Sequence, residues 1–143
     1  MTQSSSATKQ ESSDARYRVL LVDDDAAVLR GLAAALEFDL EIVTCGSAER
    51  ALELLQKSDF HAVCSDYAMP GMNGLELFER VARLPNPVVC LLLTGSTSFI
   101  GRQPTGNEYV LTKPVDPSRL SKLLVQLAHT AQLKRKTKRA LHR

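Results

Sequence analysis

The chain has 143 residues, of which 44% are hydrophobic and 24% are charged, and this composition excludes a chain that is disordered throughout. The length suits one compact domain with tails, because two domains would each lie near the lower size limit for a self-sufficient core. No apolar run reaches the ~20 residues that span a bilayer, and the polar first ten residues do not resemble a secretory signal, so we expect a cytoplasmic protein without membrane contact. Cys45, Cys64 and Cys90 match neither a disulfide framework nor a zinc site and are interpreted as small core residues.

The net charge of +2 conceals a basic tail. Residues 129–143 contain six of the eighteen Lys and Arg residues and no Asp or Glu. The other twelve basic residues and all sixteen acidic residues lie within residues 1–128, which therefore carry a net charge of −4. A mildly acidic body does not favour nucleic-acid binding, and no helix-turn-helix pattern follows residue 130. We therefore interpret residues 131–143 as a basic C-terminal helix extension or linker, and a solvated one rather than a nucleic-acid site.

In chain order, residues 1–16 are rich in Ser, Gln and Thr and predict a disordered arm, followed by one domain over residues 17–130. Short, mostly apolar runs then predict five strands near 19–22, 41–45, 62–65, 88–93 and 109–112, and polar residues follow all of them except the second. Between them, helical spacing of apolar residues predicts helices after Asp25, after Ser47 and after a turn at residues 70–74. A last helix begins at Pro117 with Asp116 as its N-cap. Alternating strands and helices predict a parallel α/β sheet that is covered on both faces.

The polar residues that end the apolar runs carry the chemistry. Four different strands end in or are followed by such residues, namely Asp23 and Asp24, Asp66, Thr94 and Lys113. A parallel sheet brings these strand ends to one edge, where such folds bind ligands. Three converging carboxylates remain ionised together only when a cation compensates their charge, and oxygen ligands suit Mg²⁺. Lys113 and the Thr94 hydroxyl supply donors for an oxyanion. This set fits a carboxylate that attacks phosphorus, and Asp66, followed by a turn, is the best candidate for the nucleophile.

These residues resemble the response-regulator receiver domain of two-component signalling over residues 17–130. The resemblance lies in Val-Asp-Asp at 22–24, Asp66 followed by Met-Pro-Gly-Met-Asn-Gly at 69–74, Leu-Thr-Gly at 93–95 and Thr-Lys-Pro at 112–114. It implies a doubly wound, flavodoxin-like sheet of five parallel strands in the order 2-1-3-4-5. It also implies a signalling switch rather than an enzyme, with a sensor histidine kinase or phosphotransfer protein as phosphodonor and a downstream protein or effector domain as target.

The same resemblance assigns roles residue by residue. Asp66 is the phospho-acceptor, Thr94 the switch hydroxyl and Lys113 the phosphate-binding lysine. Mg²⁺ is held by Asp24 directly, by Asp23 mainly through water, by Asp66 and by the main-chain carbonyl of Ala68. A cis peptide bond is expected between Lys113 and Pro114.

The chain departs from the family pattern in two places. The position three residues before the lysine, which usually holds an aromatic residue that switches, is Val110, and Tyr109 lies one place away on the opposite side of the strand. The interval between Thr94 and Lys113 is about one helical turn short and contains two glycines and a proline, so we expect the family's fourth helix to be short or irregular.

Other interpretations of the same residues remain open. Asp23 and Asp24 could cap the first helix, as we expect Asp25 to do, and Thr94 and Lys113 taken alone fit an ordinary strand residue and a surface lysine. Asn73 and Gly74 are interpreted as a turn without a chemical role. A small phosphatase of the haloacid-dehalogenase type would also use an aspartyl nucleophile in an Asp-x-Asp motif such as residues 23–25. Against it, Ala27 replaces the Thr or Val of that motif, and the late acidic pair is missing.

Overall fold

The computed structural model describes residues 16–95 and 108–141. Within these ranges the chain forms five strands and four helices in strict order along the sequence: β1 (Arg18–Val22), α1 (Ala26–Leu36), β2 (Glu41–Cys45), α2 (Ala48–Lys57), β3 (Ala62–Asp66), α3 (Gly74–Val81), β4 (Val89–Thr94), β5 (Glu108–Thr112) and α4 (Pro117–Leu141). The predicted irregular helix between the last two strands falls on residues 96–107, outside the described residues, as do the first fifteen residues of the predicted arm.

The five strands form one parallel sheet in the order β2-β1-β3-β4-β5, which confirms the predicted doubly wound fold. Alternation along the strands separates two cores. In β1, Val19 and Leu21 face α1 and α4, whereas Leu20 and Val22 face α2 and α3. The central strands are apolar on both faces because both are covered by helices. Cys45, Cys64 and Cys90 are buried free thiols, as predicted for core residues.

The helices begin at side-chain caps. The Asp25 carboxylate accepts from the N–H groups of Ala27 and Val28, and the Ser47 hydroxyl accepts from Arg50, as the sequence predicted for both caps. The interpretation of Asn73 and Gly74 as a mere turn was incomplete. Asn73 is the N-cap of α3 and forms a reciprocal capping box with Glu76, and Gly74 is the first helical residue.

Helix α4 continues past residue 130 without a break. It contains no glycine or proline after Pro117, and Ala, Leu, Lys, Arg and Gln favour helix. Its buried stripe continues through Ala131 to Arg135, which is only 7% exposed, although we expected a solvated tail. Arg135 donates to the Phe60 and Pro87 carbonyls and pairs with Asp59 at 2.8 Å. These contacts fasten the helix to the amino-terminal ends of β3 and β4. No helix in the described ranges is long and apolar enough to cross a membrane.

Candidate functional site

The carboxyl-terminal edge of the sheet gathers the polar residues that the sequence singled out. Asp23 directly follows β1, Asp66 and Thr94 are the last residues of β3 and β4, and Lys113 directly follows β5. One carboxylate oxygen from each of Asp23, Asp24 and Asp66 lies within 4.8 Å of the other two. The Lys113 ammonium group forms an ion pair with Oδ1 of Asp66. Four chain segments thus meet at one cluster of three negative charges and one positive charge.

The cluster is half enclosed by protein. Asp23, Asp66 and Thr94 are buried, whereas Asp24 is exposed and the Lys113 side chain retains 39% of its accessible surface. The nucleophile candidate is therefore largely covered by protein, and the more exposed groups of the cluster are Asp24 and Lys113.

Charge and burial act on the protonation of the cluster. Burial raises the pKa of Asp23, and the Asp66 and Asp24 charges raise it further, while the N–H group of Asp25, at 2.9 Å from Oδ1, acts in the opposite direction. For Lys113, burial alone would lower the pKa. The hydrogen bond and charge of Asp66, together with Asp23 and Asp24, outweigh burial and raise the pKa of Lys113. Lys113 therefore remains a cation while it compensates part of the carboxylate charge.

The carboxylates fit a hard divalent cation. Magnesium–oxygen bonds of about 2.0–2.1 Å place ligand oxygens on opposite sides of the ion roughly 4.2 Å apart. Oxygens that already lie within 4.8 Å of one another need only small side-chain movements to reach such distances. Because only oxygen donors are offered and their charges repel, the residues present suit Mg²⁺ better than a softer metal. Ala68, the remaining predicted ligand, lies in the loop two residues after Asp66.

Main-chain bonds fix the spacing of the strand ends. The N–H group of Lys113 donates to the Thr94 carbonyl at 2.7 Å, and that of Tyr67 donates to the Leu93 carbonyl at 2.9 Å. The first bond holds the lysine beside the threonine, and the second holds the residue after Asp66 against β4. The peptide bond between Lys113 and Pro114 is cis, as the resemblance implied.

Gly74 contributes to the site in a way that its sequence context did not predict. A Cβ atom at this position would lie 2.7 Å from the main-chain oxygen of Asp66 and 2.6 Å from Cδ1 of Leu92. Helix α3 therefore begins in direct contact with the backbone of the nucleophile candidate, and this contact requires glycine. The sequence did contain a signal for this contact. Gly74 directly follows the N-cap Asn73, and glycine is unfavourable inside a helix, so its presence there indicates that another group lies too close for a side chain.

The departure from the family pattern on β5 is visible in the register. Tyr109 pairs with Leu91 and Val110 with Leu92, and these two leucines belong to cores on opposite faces of the sheet. Tyr109 and Val110 therefore lie on opposite faces, as predicted, and both are partly exposed. The position three residues before Lys113 thus holds a small side chain.

Comparisons with known proteins indicate the family of the chain. A family model described as the response regulator receiver domain matches residues 19–125. The two-component response regulator ARR11 of Arabidopsis thaliana is 37% identical over 82% of this chain and 23% of that protein. The two-component response regulator ORR5 of Oryza sativa subsp. japonica is 39% identical over 73% of this chain and 84% of that protein. The chain spans less than a quarter of ARR11, and it spans most of ORR5.

Solved structures give the same answer. A structure described as an adenylate cyclase from Rhodopirellula baltica superposes with a TM-score of 0.82 at 32% identity, over 90% of this chain and 98% of that one. The chemotaxis response regulator CheY4 of Vibrio cholerae superposes with a TM-score of 0.70 at 30% identity, over 78% of this chain and 98% of that one. These matches give no support to the haloacid-dehalogenase alternative. With the matching family model and the strand order, they show that the chain belongs to the response regulator receiver domain family.

Proposed function

We propose that Asp66 accepts a phosphoryl group from a sensor histidine kinase or a phosphotransfer protein, and that the domain acts as a switch rather than as a turnover enzyme. The observation that carries this proposal is the position of the Asp66 carboxylate, which is paired with Lys113 and lies beside Asp23 and Asp24 at the carboxyl edge of the sheet. This is the arrangement that in-line attack on phosphorus needs, because negative charge on the transferring group must be compensated.

In the proposed reaction an Asp66 carboxylate oxygen attacks the phosphorus atom of a phosphohistidine. The new bond joins this oxygen to phosphorus, the phosphorus–nitrogen bond breaks, and its electron pair returns to the imidazole of the donor. Lys113 then exchanges its ion pair with the carboxylate for one with the phosphoryl oxygens. Since the lysine already touches Asp66 and its pKa is raised, it carries its charge before the donor arrives.

Mg²⁺ would compensate the charge of the transferring group when bound. We propose that Asp24 binds it directly, Asp23 mainly through water, and Asp66 and the Ala68 carbonyl as further ligands. The donor chemistry and the distances among the three carboxylates support this assignment.

Thr94 is the proposed link from phosphorylation to output. It is the last residue of β4, it is buried, and its carbonyl oxygen accepts from the N–H of Lys113. A movement of its hydroxyl toward a phosphoryl oxygen would shift the end of β4, and with it the segment that follows. Because Val110 is too small to exchange between a buried and an exposed pose, we propose that residues 96–107 transmit the change to a downstream protein or effector domain.

The buried free thiols support a reducing, cytoplasmic location for this reaction. Burial raises the pKa of Cys64 to about 12, with smaller contributions from Asp23 and Asp66, so this thiol, which lies two residues before the acceptor, does not compete as a nucleophile at neutral pH.

A mass measurement tests the proposal. With Mg²⁺ and acetyl phosphate the intact chain should gain one base-labile phosphoryl group, and Asp66→Asn should abolish this gain. Asp25→Asn is the matched control, because asparagine preserves the helix cap and residue 25 lies outside the carboxylate cluster. Equal labelling of Asp66→Asn would contradict the assignment, and sustained release of phosphate from small esters over many turnovers would favour a phosphatase.

A further inference from the structure

The loop between β3 and α3, residues 67–73, carries Ala68, the proposed main-chain ligand, and is tied at its far end to a different helix. The N–H group of Met72 donates to Oε2 of Glu49 at 3.0 Å. Glu49 is the second residue of α2, on the sheet face that α2 and α3 share. This bond connects the loop to an element that contributes no residue to the carboxylate cluster.

The backbone of the loop is shaped for this contact. Gly71 has a φ of +76°, a conformation that L side chains rarely adopt. A Cβ atom at Gly71 would lie 2.9 Å from Oε2 of Glu49. The turn at Gly71 therefore brings main chain directly against the carboxylate, and the positive φ favours glycine here.

The remaining bonds of the loop hold its two ends. Tyr67 is bonded to β4 through Leu93, and Gly74 donates to the Tyr67 carbonyl at 3.0 Å. The capping box holds Asn73 on α3. Glu49 acts between these ends, at the point where the chain turns back toward the helix.

Glu49 is well suited to hold this position in its ionised form. The Met72 N–H group donates to the carboxylate, as does the N–H group of Glu49 itself, and together with the Arg80 charge these bonds lower the pKa of Glu49, which is exposed to solvent. Its place in the first turn of a helix also favours a negative charge. The Glu49 carboxylate therefore remains an ionised hydrogen-bond acceptor for the loop at neutral pH.

We propose that Glu49 is a positioning residue for the metal site: by holding Gly71 and Met72 it keeps the loop that carries Ala68 ordered before Mg²⁺ binds. This inference rests on the proposed function, in which the Ala68 carbonyl is a ligand. Without Glu49, part of the binding free energy of the ion would be spent on ordering the loop. Buried groups that orient metal ligands change metal affinity by roughly 10–100-fold, and for the exposed Glu49 we expect about threefold to tenfold weaker binding.

Calorimetric titration of the full chain with MgCl₂ tests this role. Glu49→Ala should raise the dissociation constant for Mg²⁺ by about threefold to tenfold. Glu49→Gln, which keeps an acceptor oxygen but loses the charge, should restore most of the affinity. Glu53→Ala is the control, because Glu53 lies one turn further along α2 and pairs only locally with Arg50, at 2.9 Å.

The rate of labelling by acetyl phosphate gives a second measurement. In Glu49→Ala the Mg²⁺ concentration for half-maximal rate should rise, whereas the rate at saturating Mg²⁺ should stay close to that of the unchanged chain. A merely structural defect would lower the rate at every Mg²⁺ concentration, and that result overturns the proposal. Unchanged Mg²⁺ affinity in Glu49→Ala also overturns it, and so does equal weakening in Glu49→Gln, which would indicate a simple charge effect. The calorimetric result does not depend on phosphorylation, so it stays informative if Asp66 proves not to be the acceptor.

Discussion

The replacement of Gly74 by alanine tests the packing of α3 against the end of β3. The added methyl group would lie 2.7 Å from the Asp66 main-chain oxygen, 2.6 Å from Cδ1 of Leu92 and 3.3 Å from the Ser65 hydroxyl. Leucine can rotate away, but the Asp66 carbonyl belongs to a central strand and cannot move without moving β3 or the start of α3. Overpacking of this kind lowers the free energy of unfolding by about 1–3 kcal/mol.

Gly31 provides the matched control. It lies in the middle of α1, and a Cβ atom there would meet no other group within 4 Å. Gly31→Ala should therefore raise the free energy of unfolding by about 0.5–1 kcal/mol through helix propensity alone. The same chemical change is thus expected to have opposite signs at the two positions.

Urea unfolding followed by circular dichroism measures both variants under the same conditions. A Gly74→Ala variant as stable as the unchanged chain would refute the close approach of α3 to Asp66. Because the substitution also displaces the backbone of the nucleophile candidate, the labelling rate of the folded variant with acetyl phosphate should fall, whereas that of Gly31→Ala should not change.

Three further predictions concern the metal, the tail and the half-buried His61. Asp24→Ala should remove most of the Mg²⁺-dependent rise in melting temperature. Without Mg²⁺ the same variant should not lower the melting temperature, because it relieves repulsion among the carboxylates. A full Mg²⁺-dependent rise in the variant would place the ion elsewhere. Arg135→Ala should lower the free energy of unfolding by about 2–4 kcal/mol in urea titrations, because it uncovers buried carbonyl groups, whereas Lys136→Ala, on the exposed side of the same helix, should change it by less than about 0.5 kcal/mol. Burial, followed by the Arg135 charge, lowers the pKa of His61, so its contribution to stability is complete above the unfolded-state pKa of about 6.5 and is lost as the pH falls through the folded-state value. His61→Gln should flatten the pH dependence of the unfolding free energy over this range, and an unchanged slope would contradict the assignment.

The sequence determined the sheet and the carboxylate cluster because both depend on simple local rules. Strands that are buried on both faces must be largely apolar, so the charged residues Asp23 and Asp66 mark where β1 and β3 end. Parallel connections place the carboxyl-terminal ends of the strands at one edge of the sheet. The meeting of Asp23, Asp66 and Lys113 at this edge can therefore be predicted from the strand order alone, without distances.

The contacts of Gly74 and Glu49 could not be predicted in this way. Each depends on how closely a loop or helix approaches main chain that is distant in sequence, and no periodicity encodes that distance. Arg135 is an intermediate case. It continues the spacing of Leu124, Ala128 and Ala131, so the buried stripe could have been extended to it, but five other basic residues in the tail obscured the pattern.

Helix α4 separates two contact regions of the molecule. It starts beside the carboxyl edge at Pro117 and reaches the amino edge at Arg135, about 27 Å further along at 1.5 Å per residue. The phosphodonor that we propose would approach at the carboxyl edge, whereas a protein bound to the basic turns after Arg135 would approach from the opposite end. Both would therefore fit on the domain at the same time, and a protein bound to the tail would leave the proposed acyl phosphate exposed to the donor and to water.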